Sequence, residues 1–347
     1  MPSFWGLSQR VVNGVVRLVH SGSDHASFVR SLTRRRQNYI RQRWPGSVDL
    51  ESATRVAVLM HFDRNGAVHD YVHYYVEQMS KAGFAIVFVS NAPRLQPASI
   101  ERLTPLCASI LRRDNVGYDF GALKDGMATI PSLDRIGTLL LANDSVYGPF
   151  HDLGDIIGRM DMDEADAWGI TDSWDRSFHL QSFFLLFGRR ALASNAFRRF
   201  WSRLRYVQSK TWIVDHYELG LTTALLRDGL RCRALFPYRQ AATQLVEGVT
   251  LRRAPFPYSQ LNPTHEHFLE SVVSAVERGV PLNPTHSFWA HLIARMGCPF
   301  VKRELLRDNP VHIPGLIHWE ALIRSVSDYN TDLIARHLEL SVKRRAV

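Results

Sequence analysis

Between residues 55 and 142 the chain alternates short apolar runs with amphipathic segments, and this alternation constrains the fold more than any other feature. The apolar runs have the unbroken hydrophobicity of strands that are buried on both faces of a sheet. Strands are predicted at residues 56–61, 84–91, 107–111 and 138–142, and helices at 68–81 and 119–130. Strands and helices that alternate in this way form right-handed βαβ units. This part of the chain therefore predicts a mostly parallel sheet with a nucleotide-binding architecture.

The second half of the chain has a mixed pattern. Strands are predicted at 167–171, 180–187 and 231–236, and helices at 190–204, 217–228, 265–278, 287–295 and 330–344. The predicted fold class is α/β: an open mixed sheet with a mostly parallel nucleotide-binding half, helices on both faces and a helical C-terminal extension. The predicted divisions are a basic amphipathic segment (1–50), an α/β domain (51–240) and a helical C-terminal region that packs on it (241–347).

The composition is that of a globular chain with excess positive charge. Of 347 residues, 46% are hydrophobic, and the formal net charge is +9. Such a charge suits a polyanion, an anionic membrane surface or a nucleotide diphosphate. The three cysteines lack paired spacing, no apolar run is long enough to span a membrane, and the start lacks a signal-peptide pattern. We therefore expect a cytoplasmic protein, either free or peripheral at the inner face of the cytoplasmic membrane.

The positive charge is concentrated near the amino terminus. Residues 30–43 contain six arginines and no acid, and they follow a segment at 4–20 whose apolar residues have helical spacing. One interpretation is an interfacial anchor attracted to anionic lipid. The other is a solvated basic helix that packs on the main domain. Nucleic acid is disfavoured as a partner, because aromatic residues are not interleaved with the arginines and no nucleic-acid-binding motif accompanies them.

A polar corner follows the predicted strand at 138–142. Asn143, Asp144 and Ser145 supply oxygen atoms at the carboxyl end of that strand, where ligands bind in open α/β sheets. A carboxylate there can hold Mg²⁺ or Mn²⁺, which typically take only one or two protein oxygens and complete their coordination with water and phosphate. Such an ion neutralises a leaving diphosphate. The alternative interpretation is a simple Asx-turn in a loop.

A second candidate turn lies at residues 112–126. Asn115 and Gly117 fit a turn after a strand, and the helix that follows presents free backbone amides suited to phosphate or ribose oxygens. Arg113 and Lys124 add positive charge beside it. The alternative is a structural loop in which Asp119 caps the helix.

Two further segments contain candidate site residues. Glu218 falls in the first turn of the predicted helix 217–228, where it either caps the helix or acts as a general base, with Asp215 and His216 as rival bases. His179 and Gln181 alternate with apolar residues, so they share one face of a strand and either line a site or are hydrogen-bonded in the core.

Several motifs, taken in chain order, resemble the rhamnan synthesis protein F family. They are NVGYDFG from Asn115, LANDSVYGP from Leu141, HLQSFF from His179, YELGLT from Tyr217, and NPTH from Asn283 through KRELLRDNP from Lys302. The resemblance covers about residues 55–312. Members of that family are associated with bacterial cell-wall rhamnan and lipopolysaccharide assembly, and they are similar to GT-A fold glycosyltransferases of the family 2 type.

The resemblance implies roles for individual residues. Asn143, Asp144 and Ser145 occupy the place of the metal-binding DxD motif, with Asn143 where the first acid usually stands. Asn115 and Gly117 match the nucleotide-binding turn, and Tyr118 and Asp119 continue that motif as substrate-binding residues. Glu218 resembles the base of the ED-x-x-L helix, although Tyr217 precedes it in place of an acid.

The resemblance also implies an activity. The expected protein is an inverting, metal-assisted glycosyltransferase, in the specific case a rhamnosyltransferase. The expected donor is dTDP-L-rhamnose, with its diphosphate on Mg²⁺ or Mn²⁺ at Asp144, and the expected acceptor is a glycan or lipid-linked glycan of a cell-surface polysaccharide. Two rivals remain open: a catalytically silent carbohydrate-binding or scaffold protein, which the missing first acid favours, and a sugar-phosphate transferase.

Overall fold

The computed structural model describes residues 26–32, 39–250 and 263–343. Within these residues the chain forms a nine-stranded mixed sheet and a separate two-stranded ribbon. The strands are β1 (Ile40–Pro45), β2 (Arg55–His61), β3 (Ala85–Ser90), β4 (Ser109–Arg113), β5 (Thr138–Asn143), β6 (Val146–Tyr147), β7 (Ala167–Ser173), β8 (His179–Leu180), β9 (Phe184–Gly188), β10 (Cys232–Phe236) and β11 (Val301–Lys302). The order across the sheet is β1-β4-β3-β2-β5-β9-β7-β10, β8 pairs with β7, and β6 and β11 form the ribbon.

Helices connect the strands and cover both faces of the sheet. They are α1 (26–32), α2 (Asp70–Lys81), α3 (Pro97–Leu103), α4 (Tyr118–Met127), α5 (Leu153–Gly158), α6 (Arg189–Ala193), α7 (Asn195–Arg203), α8 (Lys210–Ile213), α9 (Leu219–Arg227), α10 (Tyr238–Thr250), α11 (Pro263–Glu277), α12 (Pro284–Ser287), α13 (Trp289–Ala294), α14 (Arg303–Asp308), α15 (Trp319–Arg324) and α16 (Asp332–Lys343). Short 3₁₀ turns lie at Leu133–Arg135 and Leu316–His318, and a π-helical turn lies at Val214–Glu218.

Strands β4, β3, β2 and β5 are parallel neighbours, whereas β9 runs antiparallel between β5 and β7. Successive strand residues point to opposite faces. Leu59 therefore belongs to the core cluster on the side of α2, α5 and the C-terminal helices, and Val58 to the cluster on the side of α4, α7 and α9. The predicted fold class, a mixed sheet with a mostly parallel half, surrounding helices and a helical C-terminal part, is confirmed.

Some predicted elements differ from those observed. The strand predicted at 180–187 is broken into β8 and β9 by a turn at Ser182 and Phe183. The helix predicted at 190–204 is divided because Ser194 caps a new helix, its Oγ accepting from the N–H of Phe197. Strand β1 was not predicted, since its largely exposed, polar side chains hide the alternation typical of a strand.

The C-terminal region reaches the carboxyl edge of the sheet through the ribbon. Strand β6 directly follows the polar corner after β5, and it pairs with β11, Lys302 opposite Val146 and Val301 opposite Tyr147. Helix α16 also contacts β6, where the Tyr147 hydroxyl lies 2.7 Å from His337 Nδ1. The region predicted as an extension therefore lies against the edge where ligands bind in such sheets. The predicted domain limits stay a prediction.

None of the helices in the described part of the chain combines the length and hydrophobicity needed to cross a membrane. The helix predicted at 4–20, and the arginines among residues 33–38, lie outside the described residues. Helix α1 packs beside α8, where the rings of Phe28 and Trp212 stack with centroids 4.7 Å apart.

The pKa values of two buried histidines predict how the free energy of unfolding depends on pH. Burial lowers the pKa of His73 and of His291 to about 4, so both are neutral in the folded protein at pH 7. Unfolded histidine has a pKa of about 6.5. The unfolded chain therefore takes up protons first, and the free energy of unfolding should fall as pH drops from about 6.5 to about 4.

Urea unfolding at a series of pH values measures this effect. In this window, His73→Gln should reduce the slope of unfolding free energy against pH by up to about 1.4 kcal/mol per pH unit. The matched control is His267→Gln, because that side chain is 80% exposed. An unchanged slope in His73→Gln would contradict the lowered pKa of His73 in the folded protein.

Candidate active site

A cleft of about 480 Å³ lies at the carboxyl edge of the sheet, beyond the ends of β2 and β5. Its walls come from the polar corner after β5, the start of α4, the segment around β8, the π-helical turn and the C-terminal residues of β11 and α14. Eight of the predicted site residues line it: Tyr118, Asp119, Asn143, Asp144, Ser145, His179, Gln181 and Glu218. The sequence prediction therefore placed most of its candidates on one surface.

The polar corner is a turn organised by Asn143. Its Oδ1 accepts from the backbone N–H of Ser145 at 3.1 Å and from the hydroxyl of Ser145 at 2.5 Å. Its Nδ2 donates to Asp119 Oδ2 at 3.0 Å, which joins the corner to the first turn of α4. The Asx-turn considered from the sequence is thus present, and it is made by Asn143.

Asp144 is buried beside Arg303 of α14. Its Oδ2 lies 2.9 Å from Arg303 Nη1, and the same nitrogen donates to the Asp144 backbone oxygen at 2.6 Å and to the Tyr71 hydroxyl at 2.6 Å. Although burial opposes the charge, the contacts with Tyr71 and Asp144 hold the pKa of Arg303 above its usual value. The guanidinium therefore neutralises this carboxylate inside the protein.

This ion pair bears on the predicted metal site. A divalent cation at Asp144 would lie next to the guanidinium charge and compete for the carboxylate that Arg303 binds. Across residues 26–32, 39–250 and 263–343, no group of three or more His, Cys, Asp or Glu side chains is placed to hold a metal ion. Ser145 Oγ, in turn, donates to Asn143. As placed, the Asp144 carboxylate is paired with Arg303, and metal binding at Asp144 stays a prediction.

Asp119 and Lys302 are oppositely charged groups of the cleft, and each affects the pKa of the other. Burial raises the pKa of Asp119 to about 6, an effect to which the negative charge of Asp144 adds. Burial lowers the pKa of Lys302 to about 8, whereas the carboxylates of Glu218 and Asp119 favour its charged form. Lys302 Nζ lies 3.5 Å from Ser145 Oγ and 4.1 Å from the centre of the Phe183 ring. The cleft thus contains partly desolvated charges of both signs.

Glu218 is the last residue of the π-helical turn between α8 and α9. Such turns in otherwise α-helical segments occur frequently at functional sites. Its Oε1 accepts from the backbone N–H of Ser182 at 2.9 Å and from the Ser182 hydroxyl at 3.0 Å. These two bonds hold one carboxylate oxygen, so the side chain has a defined orientation at the cleft wall.

The two rival bases are placed differently. Asp215 forms an ion pair with Arg176, a residue of the cleft wall. His216 is exposed, and its ring stacks on Trp212 with centroids 3.7 Å apart. Neither belongs to the residues that line the cleft, whereas Glu218 does. The geometry favours Glu218 among the three.

His179 and Gln181 line the cleft but are buried and hydrogen-bonded. His179 Nδ1 lies 2.9 Å from the backbone oxygen of Ser177. Gln181 Oε1 accepts from the Thr171 hydroxyl at 2.6 Å, and its Nε2 donates to Asn283 Oδ1 at 3.3 Å. Both interpretations made from the sequence therefore apply, because these side chains line the cleft and are also held by hydrogen bonds.

Four predicted site residues lie outside the cleft. Arg113 has no exposed surface, and its guanidinium binds Asp125 at 2.7 Å, Asn91 Oδ1 at 2.8 Å and the Val116 backbone oxygen at 2.8 Å. The expectation that Arg113 screens a diphosphate is corrected, because all sides of its guanidinium are enclosed by protein. Its role is to hold the turn before α4.

Lys124, Asn115 and Gly117 support the same turn. Lys124 Nζ donates to the backbone oxygen of Leu204 at 2.7 Å and so faces away from the cleft. Asn115 accepts from Asn91 Nδ2 at 3.1 Å, and Gly117 has φ of 78° and donates its N–H to Gln208. The turn thus positions Tyr118 and Asp119, which do line the cleft.

The sequence analysis assigned no role to the C-terminal residues of the cleft: Asn283, His286, Lys302, Arg303, Glu304 and Arg307. The sequence contained one indication that this region belongs to the site, because Asn283 and Lys302 each begin a motif shared with a known family. No periodicity or spacing predicts that such a distant segment returns to the end of β5.

Comparisons with known proteins support the resemblance. The model of the family described as "RgpF: Rhamnan synthesis protein F" matches residues 86–254. "Virulence protein VirA" of Vibrio anguillarum is 31% identical over 235 residues, which are 66% of this chain and 72% of that protein. "Uncharacterized protein y4gN" of Sinorhizobium fredii is 27% identical over 172 residues, 48% of this chain and 44% of that protein.

Solved structures of glycosyltransferases are distant neighbours. Galactosyltransferase LgtC, in complex with donor and acceptor sugar analogs, is 12% identical with a TM-score of 0.33, over 81% of this chain and 99% of that chain. Mannosyltransferase PcManGT from Pyrobaculum calidifontis, in complex with GDP-Man and Mn²⁺, is 11% identical with a TM-score of 0.35, over 94% and 90%. TM-scores this low carry no argument about activity.

The structural role of Arg113 is testable. Arg113→Met leaves the buried Asp125 carboxylate without its cation and removes the donor to Asn91 Oδ1, and it should lower the free energy of unfolding by about 3–5 kcal/mol. The control Arg41→Met breaks an ion pair that is 47% exposed on the arginine side, and it should cost about 1 kcal/mol or less. Urea unfolding measures both. If the Arg113→Met protein is stable but binds nucleotide poorly, Arg113 is a substrate-binding residue, as the sequence predicted.

Proposed function

The chain belongs to the rhamnan synthesis protein F family, and from that premise we propose that it is a glycosyltransferase of cell-surface polysaccharide synthesis. The proposed donor is a nucleotide diphosphate sugar, dTDP-L-rhamnose in the specific case, and the proposed acceptor is a growing or lipid-linked glycan. The observation that carries this proposal is the cleft at the carboxyl edge of β2 and β5, where one anchored carboxylate, Glu218, and a group of cationic side chains line the same space.

Glu218 is the proposed general base. Its Oε1 is held by Ser182, which orients the carboxylate toward the cleft. Glu218 takes the proton of the acceptor hydroxyl while that oxygen attacks the anomeric carbon of the donor. The bond between that carbon and the β-phosphate oxygen breaks, its electron pair stays on the phosphate, and the configuration at the anomeric carbon inverts. The products are the extended glycan and a nucleoside diphosphate.

Other cleft residues suit the binding of a sugar. Tyr118 opens α4 at the cleft, and a tyrosine ring can stack on a base or a sugar face. Gln181 and His179 present anchored polar groups beside it. Polar side chains that are already held by the protein bind sugar hydroxyls without a large loss of conformational freedom.

A second candidate function is carbohydrate binding without catalysis, as in a scaffold of a polysaccharide assembly complex. The ion pair between Asp144 and Arg303, and Asn143 in place of the usual acid, favour it.

Incubation with dTDP-L-rhamnose and an acceptor glycan separates the candidates. Release of dTDP supports the transferase, release of dTMP indicates a sugar-phosphate transferase, and binding of glycan without release of either nucleotide supports the scaffold.

Substitution of Glu218 tests the mechanism. Glu218→Gln should lower kcat by about 10²- to 10⁴-fold with little change in the Kd for dTDP, because a base acts in the transition state. The control His216→Gln should keep kcat near that of the original protein, because His216 stacks on Trp212 outside the cleft. If Asp215→Asn abolishes turnover and Glu218→Gln does not, the base is assigned to the wrong residue.

Peripheral binding to an anionic membrane is a further part of the proposal. Helix α1 packs on Trp212, next to cleft residues Lys210 and Ile213. Deletion of residues 1–25 removes the apolar residues of the predicted helix at 4–20 and should weaken co-sedimentation with vesicles that contain phosphatidylglycerol, while the six arginines of residues 30–43 remain. The deletion spares β1, which pairs with β4. Equal co-sedimentation of both proteins would contradict a role of the predicted helix at 4–20 in membrane binding.

A further inference from the structure

A basic segment from the C-terminal region forms one wall of the cleft. It runs from Lys302 to Arg307, contributes Lys302, Arg303, Glu304 and Arg307 to the cleft wall, and we call it the 302–307 segment. The backbone N–H of Arg303 donates to the Ser145 oxygen at 2.9 Å, and Lys302 pairs with Val146 across the β6–β11 ribbon. The segment is therefore fixed directly onto the polar corner that the sequence predicted as a metal site.

Arg303 keeps donors available to a ligand. Its two hydrogen bonds, to the Tyr71 hydroxyl and to the Asp144 backbone oxygen, use Nη1, and the same nitrogen forms the ion pair with Asp144 Oδ2. Within the described part of the chain, the hydrogen bonds of the Arg303 guanidinium use Nη1 and not Nε or Nη2, and the side chain lines the cleft. Since the ion pair with Asp144 fixes the plane of the guanidinium, the remaining donors have a defined direction. A guanidinium held in this way suits two oxygens of one phosphate.

Lys302 and Arg307 add charge on either side. Lys302 Nζ makes a long contact to Ser145 Oγ, at 3.5 Å, and it lies over the ring of Phe183. Arg307 binds Asp308 through Nε and Nη2 at 2.7–3.1 Å, and Nη1 makes no hydrogen bond in the described part of the chain. Both residues line the cleft with Arg303.

We propose that the 302–307 segment binds the diphosphate of the donor directly and takes the negative charge that develops on the leaving group, in the role that the sequence predicted for a metal ion. Asp144 then acts as a positioning residue that orients Arg303. This inference rests on the proposed function, because it concerns the donor of that reaction. Positioned cationic side chains stabilise a transferring or leaving phosphate as a metal ion does.

Isothermal titration of the full-length protein with dTDP tests the proposal, once in EDTA and once in Mn²⁺. The Kd should differ by less than about threefold between the two conditions, because the protein itself supplies the charge. Lys302→Met, Arg307→Met and Arg303→Lys should each weaken binding in EDTA by about 10- to 100-fold, which corresponds to the loss of one or two charge-assisted hydrogen bonds. Arg324→Met is the matched control, since its ion pair with Glu320 lies outside the cleft.

The outcomes separate this inference from the proposed function. Binding of dTDP that requires Mn²⁺ and is lost in Asp144→Asn overturns the inference and leaves the transferase proposal standing. Binding in EDTA that is unchanged in the three variants also overturns it. No binding of dTDP, UDP or GDP under either condition overturns the nucleotide-sugar proposal as well. Far-UV circular dichroism and urea unfolding of each variant confirm that weaker binding does not arise from loss of the fold.

Discussion

The ion pair between Asp144 and Arg303 is the contact on which the organisation of the cleft depends. It joins the end of a central parallel strand to a helix that lies 159 positions later in the chain. Because Arg303 also binds Tyr71 of α2, three separate elements meet at one guanidinium. A buried charge without its partner is costly, so this arrangement defines how the C-terminal region docks on the sheet edge.

The same contact decides which charges face a ligand. A carboxylate alone at the end of β5 would make the corner anionic and suited to a cation. With Arg303 bound to Asp144 and with Lys302 beside Ser145, the corner is instead suited to an anion. The cleft carboxylates oriented by uncharged donors include Glu218, held by Ser182, and Asp119, held by Asn143. The cleft thus separates a candidate base on the π-helical turn from cationic side chains on the C-terminal wall.

The sequence predicted the layers of this fold and most of one wall of the cleft. Buried strands such as β5 could be predicted because nearly every residue in them is apolar. The ends of parallel strands necessarily share an edge of the sheet. It misassigned Arg113, because a basic residue beside a glycine turn has the same pattern whether it faces a ligand or is enclosed. It missed Arg303, because long-range pairing between a strand end and a distant helix leaves no local periodicity. Strand β1 was missed because its polar side chains are largely exposed.

The central claim is that the cleft holds a nucleotide diphosphate sugar between Glu218 and the 302–307 segment. A crystal structure of the protein with bound dTDP-L-rhamnose measures this most directly. The account predicts that oxygens of the β-phosphate lie within hydrogen-bond distance of Arg303 Nη2 or Lys302 Nζ, with Glu218 on the opposite side of the anomeric carbon. A diphosphate bound instead at the turn of Asn115 and Gly117, away from these three side chains, would contradict it.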